Sequence, residues 1–299
     1  MQEFSTYIDF CAQQFNSMGK CQNCPYGQCI HVAQDVQGVD CYSCLYQIHR
    51  YVNQKWKYQC CKIIYNYVLK FGHRYASEID KILSFLVHNV TLPQELNVMS
   101  VGSGPCTELF GVMNQFSGHT VHFKGFDLNE IWEPMTLFEK TLFPNKDIQF
   151  HYEDFFEYIN KTDEVVDVLI LNYMLSDMAR YEGASVCSAF IDKIVKLCEE
   201  QRIKLILVND VYLTYASRTG YALMEELARK IQFNRKINSR SGRWRFTEPK
   251  SGQVVYGTRY NDNGLSFPIV ENSVAGFNSF SPCNSIFLFI AILLNNEDV

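Results

Sequence analysis

The chain has 299 residues, 47% of them hydrophobic and 20% charged, with 8 Pro and 16 Gly. This composition excludes a disordered or collagen-like chain and fits one large domain or two unequal ones. A formal net charge of −5 excludes a polycation that coats nucleic acid by charge alone, so any nucleic-acid surface has to be local.

The stretch from Met1 to Lys20 shows no basic segment followed by an apolar core, which argues against secretion. The longest apolar run, Ile286 to Leu294, falls well short of the roughly 20 residues of a spanning helix, so it reads as a buried strand. A cytoplasmic location with no membrane partner is the expectation. Eight of the 12 cysteines lie in the first 61 residues, several at Cys-x2-Cys spacing, a pattern of metal binding in a reducing compartment rather than of disulfides.

Residues 1–61 therefore read as a small Cys/His-rich zinc-binding module. Its candidate ligands are Cys21, Cys24, Cys29, His31, Cys41, Cys44, His49 and Cys60. Thiolates two residues apart can turn onto one ion while the intervening backbone donates to sulfur. Eight ligands suffice for two tetrahedral zinc ions, one on Cys41, Cys44, His49 and Cys60 and one on the earlier four. An interleaved pairing and a single four-thiolate site are the competing arrangements. The Cys-x3-Cys-x2-Cys run of radical enzymes is absent, which disfavours an iron–sulfur cluster. Residues 62–93 follow as a helical connector, because Ile64, Val68, Phe71, Tyr75, Ile79, Ile82 and Leu86 recur near helical spacing.

From residue 94 onward, apolar runs alternate with helical stretches. The runs at 96–102, 121–128, 147–155, 165–174 and 202–211 predict buried parallel strands, since a sheet covered on both faces gives continuous rather than alternating hydrophobicity. Helices are predicted over 106–116, 130–142, 183–200 and 216–231. The fold class is α/β, with a doubly wound sheet. The tail departs from this rhythm: 241–260 predicts a hairpin turning at Pro249-Lys250-Ser251-Gly252, and 285–294 predicts a last strand at the sheet edge.

The first strand runs into Gly102-Ser103-Gly104-Pro105 and then into a helix. Residues without a Cβ allow a ligand close approach to the backbone, and a helix N-terminus offers unpaired N–H groups. Asp127, followed by Leu128, ends the second strand, where a carboxylate can accept both hydroxyls of a ribose. Asp154 at the third strand tip suits either an adenine amine, with Phe155 against the ring, or a helix N-cap. The fourth strand ends in Asn172, Tyr173 and Asp177, and the fifth in Asp210. These four suit the positioning of an acceptor, with Asp210 as a base, or equally caps and loop hydrogen bonds.

Over roughly residues 93–299 the pattern resembles the class I S-adenosylmethionine-dependent methyltransferase family. VGSGPCTEL, Asp127, YEDFF with Asp154, and LILNYMLSDM carry the resemblance. It implies a mostly parallel seven-stranded sheet with an antiparallel last strand, and it makes 94–299 the catalytic domain. It also implies S-adenosylmethionine across the strand tips, contacting Gly102, Ser103, Gly104, Asp127, Leu128, Asp154, Phe155 and Asn172. Ser100 stands where the family often carries an acid, which motivates an alternative: an inactive cofactor-binding or zinc-mediated interaction protein. A lyase acting on the same cofactor is a third reading. A nicotinamide site fits less well, because Thr107 replaces the third glycine of Gly-x-Gly-x-x-Gly. Asn172 is followed by Tyr173-Met174-Leu175 rather than Pro-Pro-Tyr, which disfavours methylation of exocyclic amines in DNA.

Arg235 to Arg245 collects four Arg and one Lys around Trp244. Arg243, Trp244 and Arg245, with the zinc module, suit an RNA or nucleotide-bearing acceptor by gripping phosphates and stacking bases. A solvated hairpin is the plainer reading of the same residues.

Overall fold

The computed structural model describes residues 2–18, 60–211, 219–246, 259–260, 266–267 and 285–293. Helix α1 (Gln2–Ser17) buries Phe4, Tyr7, Ile8, Cys11 and Phe15, spaced along one helical face, and packs on α2 (Cys61–Tyr67). A π-helical turn (Val68–Gly72) joins α2 to α3 (His73–Asn89) without a break, so the connector is one helical run with its register shifted midway.

Strands and helices then alternate: β1 (Glu95–Val101), α4 (Glu108–Gln115), β2 (Thr120–Phe126), a 3₁₀ turn (Glu130–Trp132), α5 (Glu133–Leu142), β3 (Asp147–His151), α6 (Phe155–Thr162) and β4 (Val168–Asn172). They continue with α7 (Met174–Tyr181), α8 (Ala184–Glu199), β5 (Leu205–Asp210), α9 (Gly220–Gln232), β6 (Ser239–Phe246), β7 (Arg259–Tyr260) and β8 (Ile286–Ile292). The five predicted strands are present, β1 and β2 beginning one residue earlier than expected and β3, β4 and β5 shorter than expected. Helices α6 and α7, eight residues each, were not expected; they start at the tips of β3 and β4, inside segments read as strand.

The sheet order is β3-β2-β1-β4-β5-β8-β6, with the two-residue β7 extending the far edge. β8 pairs antiparallel with both β5 and β6, and the other pairings are parallel, as the resemblance implied. Two expectations are corrected. β8 lies inside the sheet rather than at its edge, because a strand buried at six of its seven positions needs neighbours on both sides. β6 and β7 pair parallel, through Arg245 with Arg259 and Phe246 with Tyr260, so they are not the two arms of a hairpin.

Alternation along each strand feeds two cores. Val98, Ile170 and Leu207 meet α3 and α4 on one face, while Met99, Leu171 and Val208 meet α6, α8 and α9 on the other. The α3–α4 contact is a backbone approach. A Cβ on Gly111 would stand 2.7 Å from the Asp80 backbone nitrogen and 3.1 Å from the Ala76 carbonyl. Gly111→Ala is expected to cost about 2 kcal/mol of stability, seen as a lower midpoint in thermal or urea unfolding; an unchanged midpoint would show that the two helices can move apart freely.

Among the described residues no helix is long and apolar enough to cross a membrane.

Candidate active site

The carboxyl ends of β1, β2 and β4 open on a cavity of about 320 Å³, within the range of small-molecule sites. Its floor is the predicted glycine loop. Gly102 (φ +66°) and Gly104 (φ +51°) are both left-handed, a conformation that favours glycine. A Cβ at Gly102 would lie 2.8 Å from Met174 Cγ, so the turn is held close under the β4–α7 corner. Three bonds fix the loop. The Ser103 N–H donates to the Phe126 carbonyl at 3.0 Å, the Tyr7 hydroxyl of α1 donates to the Pro105 carbonyl at 3.1 Å, and the Gly104 N–H donates to Asp127 Oδ2 at 2.8 Å.

Asp127 thus joins the loop to the tip of β2 and lines the cavity, with Oδ1 accepting the Asn129 N–H at 2.9 Å. Burial raises its pKa, and the two backbone donors act the other way. Each oxygen keeps lone-pair capacity for a further donor. Leu128, 76% exposed, stands at the rim, and Ser103 lines the cavity beside the glycines.

Ser100 is buried on β1, and its hydroxyl donates to Glu108 Oε1. Glu108, the first residue of α4, is 2% exposed and lines the cavity. Burial pushes its carboxyl up to about 7, with hydrogen bonds from Ser100 and Asn172 acting the other way. Glu108 of α4 thus brings a carboxylate against the strand at Ser100, where the sequence itself has none.

At the tip of β4, Asn172 and Tyr173 both line the cavity. Tyr173 is left-handed (φ +57°), unusual for a bulky residue. Its hydroxyl donates to Glu78 Oε2 at 2.8 Å, and Asn209 Nδ2 donates both to Glu78 Oε2 and to Asn172 Oδ1 at 3.0 Å. The fully buried Glu78 of α3 therefore holds the β4 and β5 tips together. Asp177, on α7, lines the cavity too, and its charge opposes ionisation of Asp127, Asp210, Tyr75 and Tyr181.

Other predicted residues lie elsewhere. Asp154 is the N-cap of α6, its Oδ1 accepting the Phe156 and Glu157 N–H groups at 2.7 and 3.1 Å, and Phe155 is buried in the core; neither lines the cavity. Asp210 is fully buried. Its Oδ2 accepts the Ser176 N–H at 2.8 Å and its Oδ1 the Val211 N–H, which ties β5 to α7 instead of facing the cavity. On β6 alternate side chains take opposite faces. Trp244 stacks on Phe287 and Phe289 at 5.4 and 5.0 Å, and Arg243 Nε lies 3.0 Å from Glu225 Oε1. The Trp244 ring is thus partly buried against the core, and Arg243, Trp244 and Arg245 do not line the cavity.

Cys21, Cys24, Cys29, His31, Cys41, Cys44 and His49 lie outside the described residues. Cys60, half-buried at the N-cap of α2, is described, and no cluster of three or more His, Cys, Asp or Glu suited to a metal occurs among the described residues.

Sequence reasoning missed Glu108, Tyr67, Tyr75, Trp132 and Tyr181, all in the lining. Glu108 had a signal, as the acid at the helix start directly after the loop. Tyr67 and Tyr75 had none, because which face of α2 and α3 meets the strand tips depends on the π turn between them, and Trp132 and Tyr181 lie on the 3₁₀ turn and on α7, outside the strand tips that sequence position marks.

No family model matches the sequence, and no curated protein matches it. Among solved structures the chain is similar to a putative class I S-adenosylmethionine-dependent methyltransferase from Listeria monocytogenes, 12% identical over 99% of this chain and 89% of that one (TM-score 0.49). It is similar to the plantazolicin methyltransferase BpumL in complex with a monoazolic desmethylPZN analog and SAH, 12% identical over 85% and 99% (TM-score 0.48). It is also similar to a putative rRNA-methylase from Clostridium thermocellum, 14% identical over 71% and 96% (TM-score 0.43). These are likenesses of fold.

Proposed function

We propose that the chain is an S-adenosylmethionine-dependent methyltransferase whose active site is the cavity at the β1, β2 and β4 tips. The observation that carries this reading is the bond from the Gly104 N–H to Asp127, which sets a glycine cradle and a ribose-binding carboxylate side by side on the cavity floor. The cavity's chemistry fits the group: open backbone at Gly102–Gly104, an acid for hydroxyls, Leu128 and Trp132 for an adenine, and Glu108 for an ammonium or sulfonium.

When bound, S-adenosylmethionine supplies a methyl carbon made electrophilic by its sulfonium. The protein's part is alignment and exclusion of water, since direct displacement needs a positioned nucleophile more than a strong acid. Asp127 holds the sugar, Glu108 offers a negative charge to the cationic end, and Asn172, Tyr173 and Asp177 flank the space where an acceptor enters. Asp154, which suits an adenine amine, serves as the N-cap of α6. Glu108 beside Ser100 supports retained catalytic competence over an inactive or purely interacting protein. A calorimetric titration with S-adenosylmethionine, followed by S-adenosylhomocysteine, tests the reading: saturable one-to-one binding of both is expected, and absence of heat with either overturns it.

The Cys/His spacing between residues 21 and 60 supports a zinc-bearing N-terminal segment of two ions ahead of a connector and a catalytic region beginning near residue 94. Elemental analysis of the purified chain is expected to find about two zinc per chain, the capacity of eight such ligands; a zinc-free chain that keeps its fold contradicts it.

A further inference from the structure

The glycine loop is gripped from two sides. On the cavity side Asp127 accepts the Gly104 N–H at 2.8 Å, and from behind, one residue further on, the Pro105 carbonyl accepts the Tyr7 hydroxyl at 3.1 Å. Tyr7 belongs to α1 and is fully buried, so bulk water does not stand in for that donor. Burial, and then the charge of Glu139, raises its pKa well above the ordinary phenol value, which keeps the proton on the oxygen. Cys106, directly after Pro105, is left-handed (φ +55°), a conformation that a residue with a Cβ rarely adopts, and its N–H closes back on the Ser103 carbonyl at 2.8 Å. Neighbouring rings seat α1. The Tyr7 centroid lies 5.2 Å from that of Phe110 on α4, which Phe4 meets edge-on at 5.0 Å, and Phe10 stacks on Phe138 of α5 at 4.0 Å. These are the two helices that follow the β1 and β2 tips.

Resting on the methyl-transfer reading, we propose that Tyr7 is a positioning residue of the donor site: its hydroxyl holds the Pro105 carbonyl so that Gly102–Gly104 keeps the shape that receives S-adenosylmethionine. Tyr7 does not line the cavity and acts only through the loop. The site assembled at the strand tips from residue 94 onward therefore also draws on a helix that precedes the Cys/His-rich segment in the chain. Removing the hydroxyl leaves the ring contacts in place and strips the donor from a buried carbonyl, so the loop loses one of the three bonds that fix it. A looser loop has to be ordered again when the donor binds, and that ordering is subtracted from affinity.

The test pairs two α1 variants of the full chain. Tyr7→Phe removes one oxygen and keeps the ring. Phe15→Leu weakens α1 about two turns further along, where Lys62 of α2 lies over the Phe15 ring. Both are expected to lower the unfolding midpoint. Only Tyr7→Phe is expected to weaken S-adenosylhomocysteine binding, by about fivefold in calorimetry, the size of one lost buried hydrogen bond. Phe15→Leu is expected to stay within about 1.5-fold of wild type, as a change distant from the loop. Amide hydrogen exchange in the peptide from Gly102 to Leu109 is expected to quicken in Tyr7→Phe alone. It is read well below either midpoint, so early melting of a variant leaves the result intact. Either wild-type affinity or unchanged loop exchange in Tyr7→Phe overturns the proposal. An equal loss of affinity in both variants overturns it as well, since α1 would then add stability and nothing more. A wild-type chain that does not bind S-adenosylhomocysteine sinks the methyl-transfer reading instead, while loop exchange still reports on the Tyr7 bond, which keeps the two failures apart.

Discussion

Asp127→Ala is expected to weaken S-adenosylmethionine binding by about 100-fold, the loss of two charge-assisted hydrogen bonds to ribose hydroxyls. The same substitution strips the acceptor from the Gly104 and Asn129 N–H groups, so the glycine loop loosens and the ligand-free chain melts earlier. Asp127→Asn separates the two effects. It keeps one oxygen acceptor but loses the charge and the second oxygen, and it is expected to cost about tenfold in affinity with a smaller loss of stability. Calorimetry on the three proteins gives the ranking directly. Equal affinities across the series would mean that the carboxylate does not touch the ligand.

Affinity for the cationic donor is expected to rise with pH through neutrality. The ligand-free chain holds the Glu108 carboxyl at about 7, pushed up from an ordinary value of 4.5 by burial. A neutral acid offers a sulfonium or ammonium little, so binding requires that proton to leave. The dissociation constant is then expected to be roughly tenfold higher at about pH 6 than at about pH 8, with a plateau above neutrality. Stability runs the opposite way. A carboxyl whose folded pKa is raised binds more protons folded than unfolded between its two pKa values. Its neutral form therefore favours the fold at low pH, and that contribution is lost as pH rises toward 7. Asp210, also pushed up to about 7 by burial, adds to this trend without lining the cavity. Glu108→Gln is expected to flatten the affinity profile and to reduce the loss of unfolding midpoint between about pH 5 and pH 8. An affinity profile unchanged by that substitution would remove Glu108 from the site.

Much of the scaffold was legible because its physics is local. Five strands covered on both faces read as continuous apolar runs, and the Gly102–Gly104 turn announced itself by the absence of side chains where strand becomes helix. Asp127 followed from its place at the end of the next strand. Asp154 shows the limit of such reasoning, since capping a helix and meeting a base both require an acid after β3, and only the bonds to Phe156 and Glu157 assign it to α6. Pairing direction was not legible: Pro-Lys-Ser-Gly marks a turn, yet β6 and β7 run parallel, and β8 settles between β5 and β6 because its buried length demands two neighbours. Glu108 was legible as the acid that opens the helix after the loop, but its turn inward onto Ser100 and the cavity depends on how α4 packs against β1.

The central claim is that the turn at Gly102 to Gly104 and the carboxylate of Asp127 together receive the nucleoside of the methyl donor. A crystal structure of the full chain with S-adenosylhomocysteine tests it most directly. The account predicts both ribose hydroxyls within hydrogen-bonding distance of Asp127, with the sugar over the glycine backbone and the amino-acid end toward Glu108. A nucleoside bound elsewhere on the molecule, or a ribose turned away from Asp127, would contradict it.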